Sequence, residues 1–194
     1  MNYVLAQALL CLCLKTEMSS NEICLLLGAT GVGKTLLLKR LQKLSLHGLG
    51  ELGGPPSTLP TVGTNLTDLT LKKKKKVTLR ELGGCMGPIW PSYFKDCSSV
   101  IFMVDSANIA QISSSCVQLL SVLSAEPLQS ASVLILFNKS DLPCTMSLVE
   151  MKSLFRMDDI IASAPQPITT MEISARSGQG LQEVLSWLES IIVK

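Results

Sequence analysis

The sequence predicts an α/β fold built around a mainly parallel β-sheet. Short continuous apolar runs, which are typical of buried parallel strands, alternate along the chain with longer stretches of helical periodicity. The first apolar run leads directly into a glycine-rich loop and then into a helix. With 194 residues the chain is long enough for one domain with a well-buried core.

Each strand is predicted from an apolar run bounded by polar or turn residues, and each helix from apolar positions at helical spacing. Two strands separated by a lysine run are predicted to form a hairpin, and we find no internal repeat or second domain. The strands are predicted near residues 23–28, 65–71, 77–82, 99–105, 133–138 and 169–173, and the helices near residues 34–46, 111–124, 147–156 and 181–193.

The composition excludes several classes of protein. The chain is 47% hydrophobic and 16% charged, with a mean hydropathy of +0.39, which excludes long disorder. Its net charge of +2 depends on the five lysines at 72–76, so a basic nucleic-acid binder is not expected. A single histidine excludes a His-rich zinc site, and seven cysteines without CxxC spacing favour a reducing compartment.

The first 21 residues are predicted to form an apolar extension ahead of a single domain at residues 22–194. Its apolar run, residues 3–14, would rise about 18 Å as a helix, short of the roughly 30 Å needed to span a bilayer. No basic residue precedes the run, and Asn2 excludes N-myristoylation. Three interpretations remain: a poorly ordered extension, a helix lying in a membrane surface and a targeting signal.

A phosphate-binding loop follows the first predicted strand. Residues 28–35 match GxxxxGK[ST], in which glycines let backbone N–H groups surround a phosphate at a helix N-terminus. Lys34 is predicted to bridge the β- and γ-phosphates of a nucleotide, and the Thr35 hydroxyl to ligate Mg²⁺. The predicted contacts are Gly28, Ala29, Thr30, Gly31, Val32, Gly33, Lys34 and Thr35.

A second motif predicts that the base is guanine. Asn138, Lys139 and Asp141 follow a buried-strand run, as an NKxD motif should. The Asp141 carboxylate can accept both N1–H and N2–H of guanine, whereas adenine has no such donor pair, so an ATPase is disfavoured. Lys139 would lie along the base and Asn138 would brace the loops. Near the end of the chain, Ser174, Ala175 and Arg176 stand where a backbone N–H could meet the guanine O6.

Two further segments resemble the ADP-ribosylation factor-like family of small GTPases. Residues 59–65, LPTVGTN, are similar to that family's first switch, and residues 78–85, TLRELGGC, stand where it carries Trp-Asp-x-Gly-Gly-Gln. The likeness continues through Trp90 and covers roughly residues 22–194; the run RELGGCMGPIW resembles a divergent member. The resemblance implies the P-loop small-GTPase fold, a six-stranded, mostly parallel sheet with helices on both faces. It also implies that Thr61 closes over Mg²⁺ and that the Gly84 N–H contacts the γ-phosphate.

Three residues depart from the family pattern. Glu81 replaces the aspartate that holds Mg²⁺ through water, and its extra methylene requires the metal geometry to adjust. Cys85 replaces the glutamine that orients the attacking water, so very slow intrinsic GTP hydrolysis is expected. This catalytic position is predicted to be inactive unless a partner protein supplies the missing group. A role for Cys85 as a covalent nucleophile is a further alternative. Thr30 stands where relatives often carry aspartate.

Two surface features have alternative interpretations. The lysines at 72–76 form either a solvated hairpin turn or a contact for anionic lipid, an acidic partner or the nuclear import machinery. Trp90, Tyr93 and Phe94 form either a partner-binding surface or part of the core. Trp187 is predicted to be core, because it shares helical spacing with apolar neighbours.

Two functions follow. The first is a GTP-dependent switch with effector, exchange and activating proteins as partners; the second is a non-hydrolysing GTP-binding interaction module. GTP or GDP and Mg²⁺ are the expected ligands, and a monomer is the expected state. Family analogy implies a cytoplasmic location, with peripheral membrane or ciliary sites and roles in membrane trafficking as alternatives.

Overall fold

The structure is a computed structural model that describes residues 22–47, 52–72 and 75–192. The predicted N-terminal extension, residues 1–21, lies outside the described residues, and so do Lys73 and Lys74 of the lysine run. Among the residues described, none of the helices is both long and apolar enough to cross a bilayer.

Six strands in the described part of the chain form one sheet: β1 (Glu22–Gly28), β2 (Thr64–Thr70), β3 (Lys76–Leu82), β4 (Ser99–Asp105), β5 (Ser132–Asn138) and β6 (Ile168–Glu172). Their order across the sheet is β2-β3-β1-β4-β5-β6. All neighbouring strands pair in parallel except β2 and β3, which form the antiparallel hairpin expected from the sequence. The predicted mostly parallel sheet is therefore confirmed.

The described residues also form five α-helices and two 3-10 segments, which lie between the strands or, for the last helix, after β6. The helices are α1 (Lys34–His47), α2 (Ile109–Leu123), α3 (Leu148–Phe155), α4 (Met157–Ser163) and α5 (Leu181–Ile191). The 3-10 segments are Gly84–Asp96 and Glu126–Leu128. The single helix predicted near 147–156 is thus followed by a second one, because Arg156 takes a left-handed conformation with φ of 50° and separates α3 from α4.

Two apolar cores lie on opposite faces of the sheet, which confirms the predicted helices on both faces. One core packs α1 and α5 against the strands and includes Trp187, which is 8% exposed, as predicted. The other packs α2, α3 and the Gly84–Asp96 segment, and it buries Trp90 and Phe94. Trp90 also makes an edge-to-face contact with Phe102. Core packing is therefore the correct interpretation for Trp90 and Phe94.

The hairpin between β2 and β3 is anchored to the end of α5. Lys72 Nζ lies 3.6 Å from a Glu189 carboxylate oxygen, and Lys75 Nζ donates to the Ile192 carbonyl at 3.4 Å. Strand β2 is the outer strand of this edge of the sheet, so charged residues in its turn also discourage pairing with another chain.

The carboxyl ends of the parallel strands meet at one edge of the sheet. β1, β3 and β4 lie side by side there, and β5 and β6 continue the row. Loops that leave this edge carry the sequence motifs, so the topology gathers residues from distant parts of the chain into one cleft.

Candidate nucleotide-binding site

The phosphate-binding loop joins β1 to α1, and Lys34 folds back over it. Its Nζ donates to the carbonyls of Gly28 at 2.7 Å and Ala29 at 2.9 Å, and the side chain is buried. Burial lowers the pKa of Lys34 to about 8, although Glu81 and Cys85 act in the opposite direction. The ammonium is therefore still mostly protonated at neutral pH, as an anion-binding group must be.

Asn138 connects this loop to the loop that follows β6. Its Nδ2 donates to the Val32 carbonyl at 2.7 Å, and its Oδ1 accepts the Ala175 N–H at 2.9 Å. Gly33 makes room for it: φ is +102°, and a Cβ there would lie 2.6 Å from Asn138 Nδ2. Residues 174–176 lie in this second loop, and the contact of one of their backbone N–H groups with the guanine O6 stays a prediction.

The end of the cleft beyond Asn138 carries the two other residues of the NKxD motif. Ser174 Oγ donates to Asp141 Oδ1 at 2.6 Å and accepts the Ser177 N–H at 2.9 Å, which fixes the direction of the carboxylate. Lys139, in a left-handed conformation with φ of 73°, forms an ion pair of 2.6 Å with Asp105. We call this the base end of the cleft.

At the opposite end, three side-chain oxygens form a small cluster. Thr35 Oγ1 lies 2.9 Å from Thr61 Oγ1 and donates to Glu81 Oε1 at 2.6 Å, while Thr61 Oγ1 donates to the same Glu81 oxygen at 3.1 Å. The second Glu81 oxygen accepts Asn65 Nδ2 at 3.1 Å. This cluster, with Lys34 and Gly84, is the phosphate end of the cleft, and Glu81 is buried in it.

Gly84 lies directly against the phosphate-binding loop. A Cβ at this position would overlap the backbone of Ala29 and Thr30, so only glycine allows the approach. The preceding residue is fixed from the core side, because Trp90 Nε1 donates to the Gly83 carbonyl at 3.1 Å. Cys85 follows Gly84 and is exposed.

Two adjoining cavities lie between these ends and share Gly33 and Leu36. The one at the phosphate end holds about 200 Å³, and the one at the base end about 240 Å³. The first is lined by Thr30, Gly31, Gly33, Lys34, Thr35, Leu36, Thr58, Leu59, Pro60, Thr61, Glu81 and Gly84, and the second by Gly33, Leu36, Asn138, Lys139, Asp141, Leu142 and Arg176.

Four residues of the cleft escaped the sequence analysis. Asp105 forms the ion pair with Lys139, and Asn65 donates a hydrogen bond to Glu81. Gln111 Nε2 donates to the Thr30 carbonyl at 3.1 Å. Leu36 lines both cavities. Asp105 could have been found, because it is a carboxylate at the end of a buried strand of the parallel sheet. The other three carry no local signal.

Comparison with known proteins decides the family. The sequence model described as "ADP-ribosylation factor family" matches residues 10–192. The chain belongs to the ADP-ribosylation factor family. The small-GTPase resemblance of residues 59–65 and 78–85 is thereby confirmed, and with it the predicted fold class.

Individual ADP-ribosylation factor relatives agree. The chain is 64% identical over 173 residues to ADP-ribosylation factor-like protein 16 of Homo sapiens, covering 89% of this chain and 87% of that protein. It is 34% identical over 170 residues to ADP-ribosylation factor-like protein 1 of Saccharomyces cerevisiae, covering 87% and 86%. Among solved structures, the Arl6 BBS3 small GTPase from Trypanosoma brucei, with the bound nucleotide analogue GppNp, shares the fold with a TM-score of 0.74 at 19% identity, covering 88% of this chain and 96% of that one.

Proposed function

We propose that this protein is a guanine-nucleotide-dependent switch that binds GTP and GDP with Mg²⁺ and hydrolyses GTP slowly on its own. The observation that carries the proposal is the position of Asn138, whose one amide bonds to both the phosphate-binding loop and the loop after β6. It joins the cavity lined by Lys34 to the cavity lined by Asp141, and a nucleotide has the same two-part shape.

At the base end, each residue predicted from the sequence would have a physical task. The Asp141 carboxylate would accept hydrogen bonds from the two guanine donors, N1–H and N2–H. Ser174 Oγ orients this carboxylate through its 2.6 Å hydrogen bond to Asp141 Oδ1. Lys139 would cover the base while its ammonium stays paired with Asp105. Ala175 and Arg176 would supply the backbone beside the guanine O6.

At the phosphate end, the oxygen cluster fits Mg²⁺. Neighbouring ligands of an octahedral ion at about 2.1 Å lie about 3 Å apart, and Thr35 Oγ1 and Thr61 Oγ1 are 2.9 Å apart. We propose Thr35 and Thr61 as metal ligands, with Glu81 holding both hydroxyls. When bound, Mg²⁺ neutralises charge on the β- and γ-phosphates. Lys34 would add a second positive charge there, and the Gly84 N–H a hydrogen bond.

Slow hydrolysis follows from Cys85. The thiol is a weak hydrogen-bond donor and acceptor and cannot orient a water molecule as an amide does. A partner that supplies the missing group would accelerate the reaction.

A non-hydrolysing GTP-binding interaction module is the second candidate, and one contact favours it. Thr61 Oγ1 donates to Glu81, so a contact within the protein holds the threonine that a γ-phosphate is expected to order. A protein of this kind would present the same surface with GTP or GDP bound.

Effector, exchange and activating proteins are the proposed partners. Leu59 and Val62 beside the phosphate end are 86% and 89% exposed, which suits a surface that other proteins recognise. We propose a monomer in the cytoplasm with peripheral membrane contact, and family analogy extends this to trafficking or ciliary roles.

The decisive experiment identifies the nucleotide that the purified protein carries. The protein is denatured, the released nucleotide is identified by chromatography, and affinities for GTP and GDP are measured with and without Mg²⁺. We expect guanine nucleotide and tighter binding with Mg²⁺. Recovery of ATP would overturn the proposal, and effector binding that ignores the γ-phosphate would favour the second candidate.

A further inference from the structure

Arg40 is a charged side chain buried in the middle of α1, with only 2% of its surface exposed. A guanidinium has five N–H donors in a rigid plane, and buried donors must be bonded. All four hydrogen bonds that Arg40 makes go to backbone carbonyls: Nε to Ala175 at 3.3 Å, one terminal nitrogen to Arg176 at 2.7 Å, and the other to Leu52 at 2.5 Å and Gly53 at 3.0 Å.

These four carbonyls belong to two loops that are far apart in the sequence. Ala175 and Arg176 are part of the loop that forms the base end of the cleft. Leu52 and Gly53 begin the segment that runs to Thr61 at the phosphate end. The Leu52 side chain also lies against the base-end loop, because a Cβ at Gly178 would be 2.7 Å from Leu52 Cδ1.

We propose that Arg40 is a positioning residue that fixes the base-end loop at residues 174–178 and ties it to the segment at residues 52–60. Arg40 touches no part of the proposed nucleotide; it acts by holding Ala175 and Arg176 where their backbone can face the guanine O6. The inference rests on the proposed function, since it names what sets the specificity of that same site.

Lys43, one turn further along α1, provides a matched comparison. Its Nζ donates to the Leu52 carbonyl at 3.4 Å and is exposed, and within the described part of the chain it makes no hydrogen bond with the base-end loop. Replacing Lys43 therefore removes one positive charge and one hydrogen bond to the segment at residues 52–60. Replacing Arg40 also removes one positive charge, but it removes hydrogen bonds to both loops.

The test compares Arg40→Met and Arg40→Lys with Lys43→Met in the full chain. Affinities are measured for GDP and for the diphosphate of 6-thioguanosine, which carries sulfur, a weak hydrogen-bond acceptor, in place of the 6-oxygen of guanine and keeps both N1–H and N2–H. We expect Arg40→Met to lower the preference for GDP over this analogue about tenfold, because the lost contact is with that oxygen. Arg40→Lys should recover only part of the preference, since one ammonium cannot reach four carbonyls. Lys43→Met should change it less than twofold.

A second measurement separates positioning from a general loss of stability. Hydrogen exchange of the GDP-bound proteins should rise at residues 174–178 and 52–60 in Arg40→Met, but only at 52–60 in Lys43→Met. Equal loss of affinity for both nucleotides, or exchange that rises at 52–60 alone in Arg40→Met, would overturn the inference. If the wild-type protein binds neither nucleotide, the proposed function itself has failed, which is a distinguishable result.

Discussion

The two ends of the cleft hold their functional side chains by different means. At the base end, Asp141 and Lys139 each have one dedicated partner, Ser174 and Asp105, and both pairs are only 2.6 Å long. At the phosphate end, Thr35, Thr61 and Glu81 bond to one another. At the base end, each proposed ligand-binding side chain is thus held by a neighbour that does not itself contact the ligand. At the phosphate end, the proposed ligand-binding side chains and Glu81 hold one another.

This difference matches where the sequence keeps the family pattern and where it departs from it. The NKxD motif at the base end is complete, whereas Glu81 at the phosphate end and Cys85 beside it are the residues predicted from the sequence to stand for the family's aspartate and glutamine. The proposed function therefore predicts that selection of guanine follows the family pattern and that sensing and removal of the γ-phosphate depart from it. Each prediction below tests one side of that contrast.

The largest effect is expected for Asp141→Asn at the base end. An amide cannot accept both guanine donors, so GDP affinity should fall by about 10²–10⁴-fold, the equivalent of two hydrogen bonds to a charged group. Xanthine carries an oxygen where guanine has its amino group, so the variant should bind xanthosine diphosphate more tightly than the wild type does. Competition with a fluorescent nucleotide measures both affinities. Unchanged GDP affinity would show that Asp141 does not read the base.

At the phosphate end, Cys85→Gln should restore hydrolysis. Cys85 is exposed, so the larger amide can be accommodated, and it can orient water where the thiol cannot. The single-turnover rate of GTP hydrolysis should rise on the order of tenfold or more. Cys85→Ser, which changes little in size, is the control and should stay slow. A wild-type rate already as high as that of Cys85→Gln would refute the assignment of slow turnover to this residue.

The sequence predicted the sheet well because its signals are local. Buried parallel strands are continuous apolar runs, and β1 and β5 each lead into a motif whose chemistry needs that position. The segment Gly84–Asp96 carried no such signal. Its two prolines remove backbone donors, and its order comes from Trp90 and Phe94 reaching a core built by distant strands.

Contacts between distant loops were not predictable either. An arginine in an amphipathic helix is normally solvated, so nothing in the sequence of α1 indicates that Arg40 is buried among four carbonyls. The pairing of Lys139 with Asp105 likewise depends on β4 and β5 being neighbours in the sheet. Contacts of this kind can be predicted only after the fold is known.

A pH dependence is expected from Lys34. Burial lowers its pKa to about 8, and bound phosphate favours the ammonium, so the pKa is higher in the complex. Affinity for GDP is thus fully present below pH 8 and is lost as the pH rises above it, by about tenfold between pH 7 and pH 9. Lys34→Arg, whatever its affinity, stays charged and should lose this dependence; guanine deprotonation at the upper end affects both proteins equally. The same slope in both variants would contradict the assignment.

The smallest effect separates the two candidate functions and concerns Glu81→Asp. Shortening the side chain removes the 3.1 Å contact with Thr61, so that threonine keeps only its 2.9 Å contact with Thr35 and is held less firmly by the protein. If Thr61 also ligates the metal of a GTP complex, the γ-phosphate must then do more of the ordering. The preference for a GTP analogue over GDP should rise about fivefold, the worth of one net hydrogen bond, at saturating Mg²⁺. Asp68→Glu is a matched control, since it changes one methylene on β2 at an exposed carboxylate that bonds only to Thr78 among the hydrogen bonds described. If the preference for the GTP analogue over GDP does not change in Glu81→Asp, Thr61 is ordered by something other than Glu81. The contact between Thr61 and Glu81 would then no longer support the non-hydrolysing interaction module.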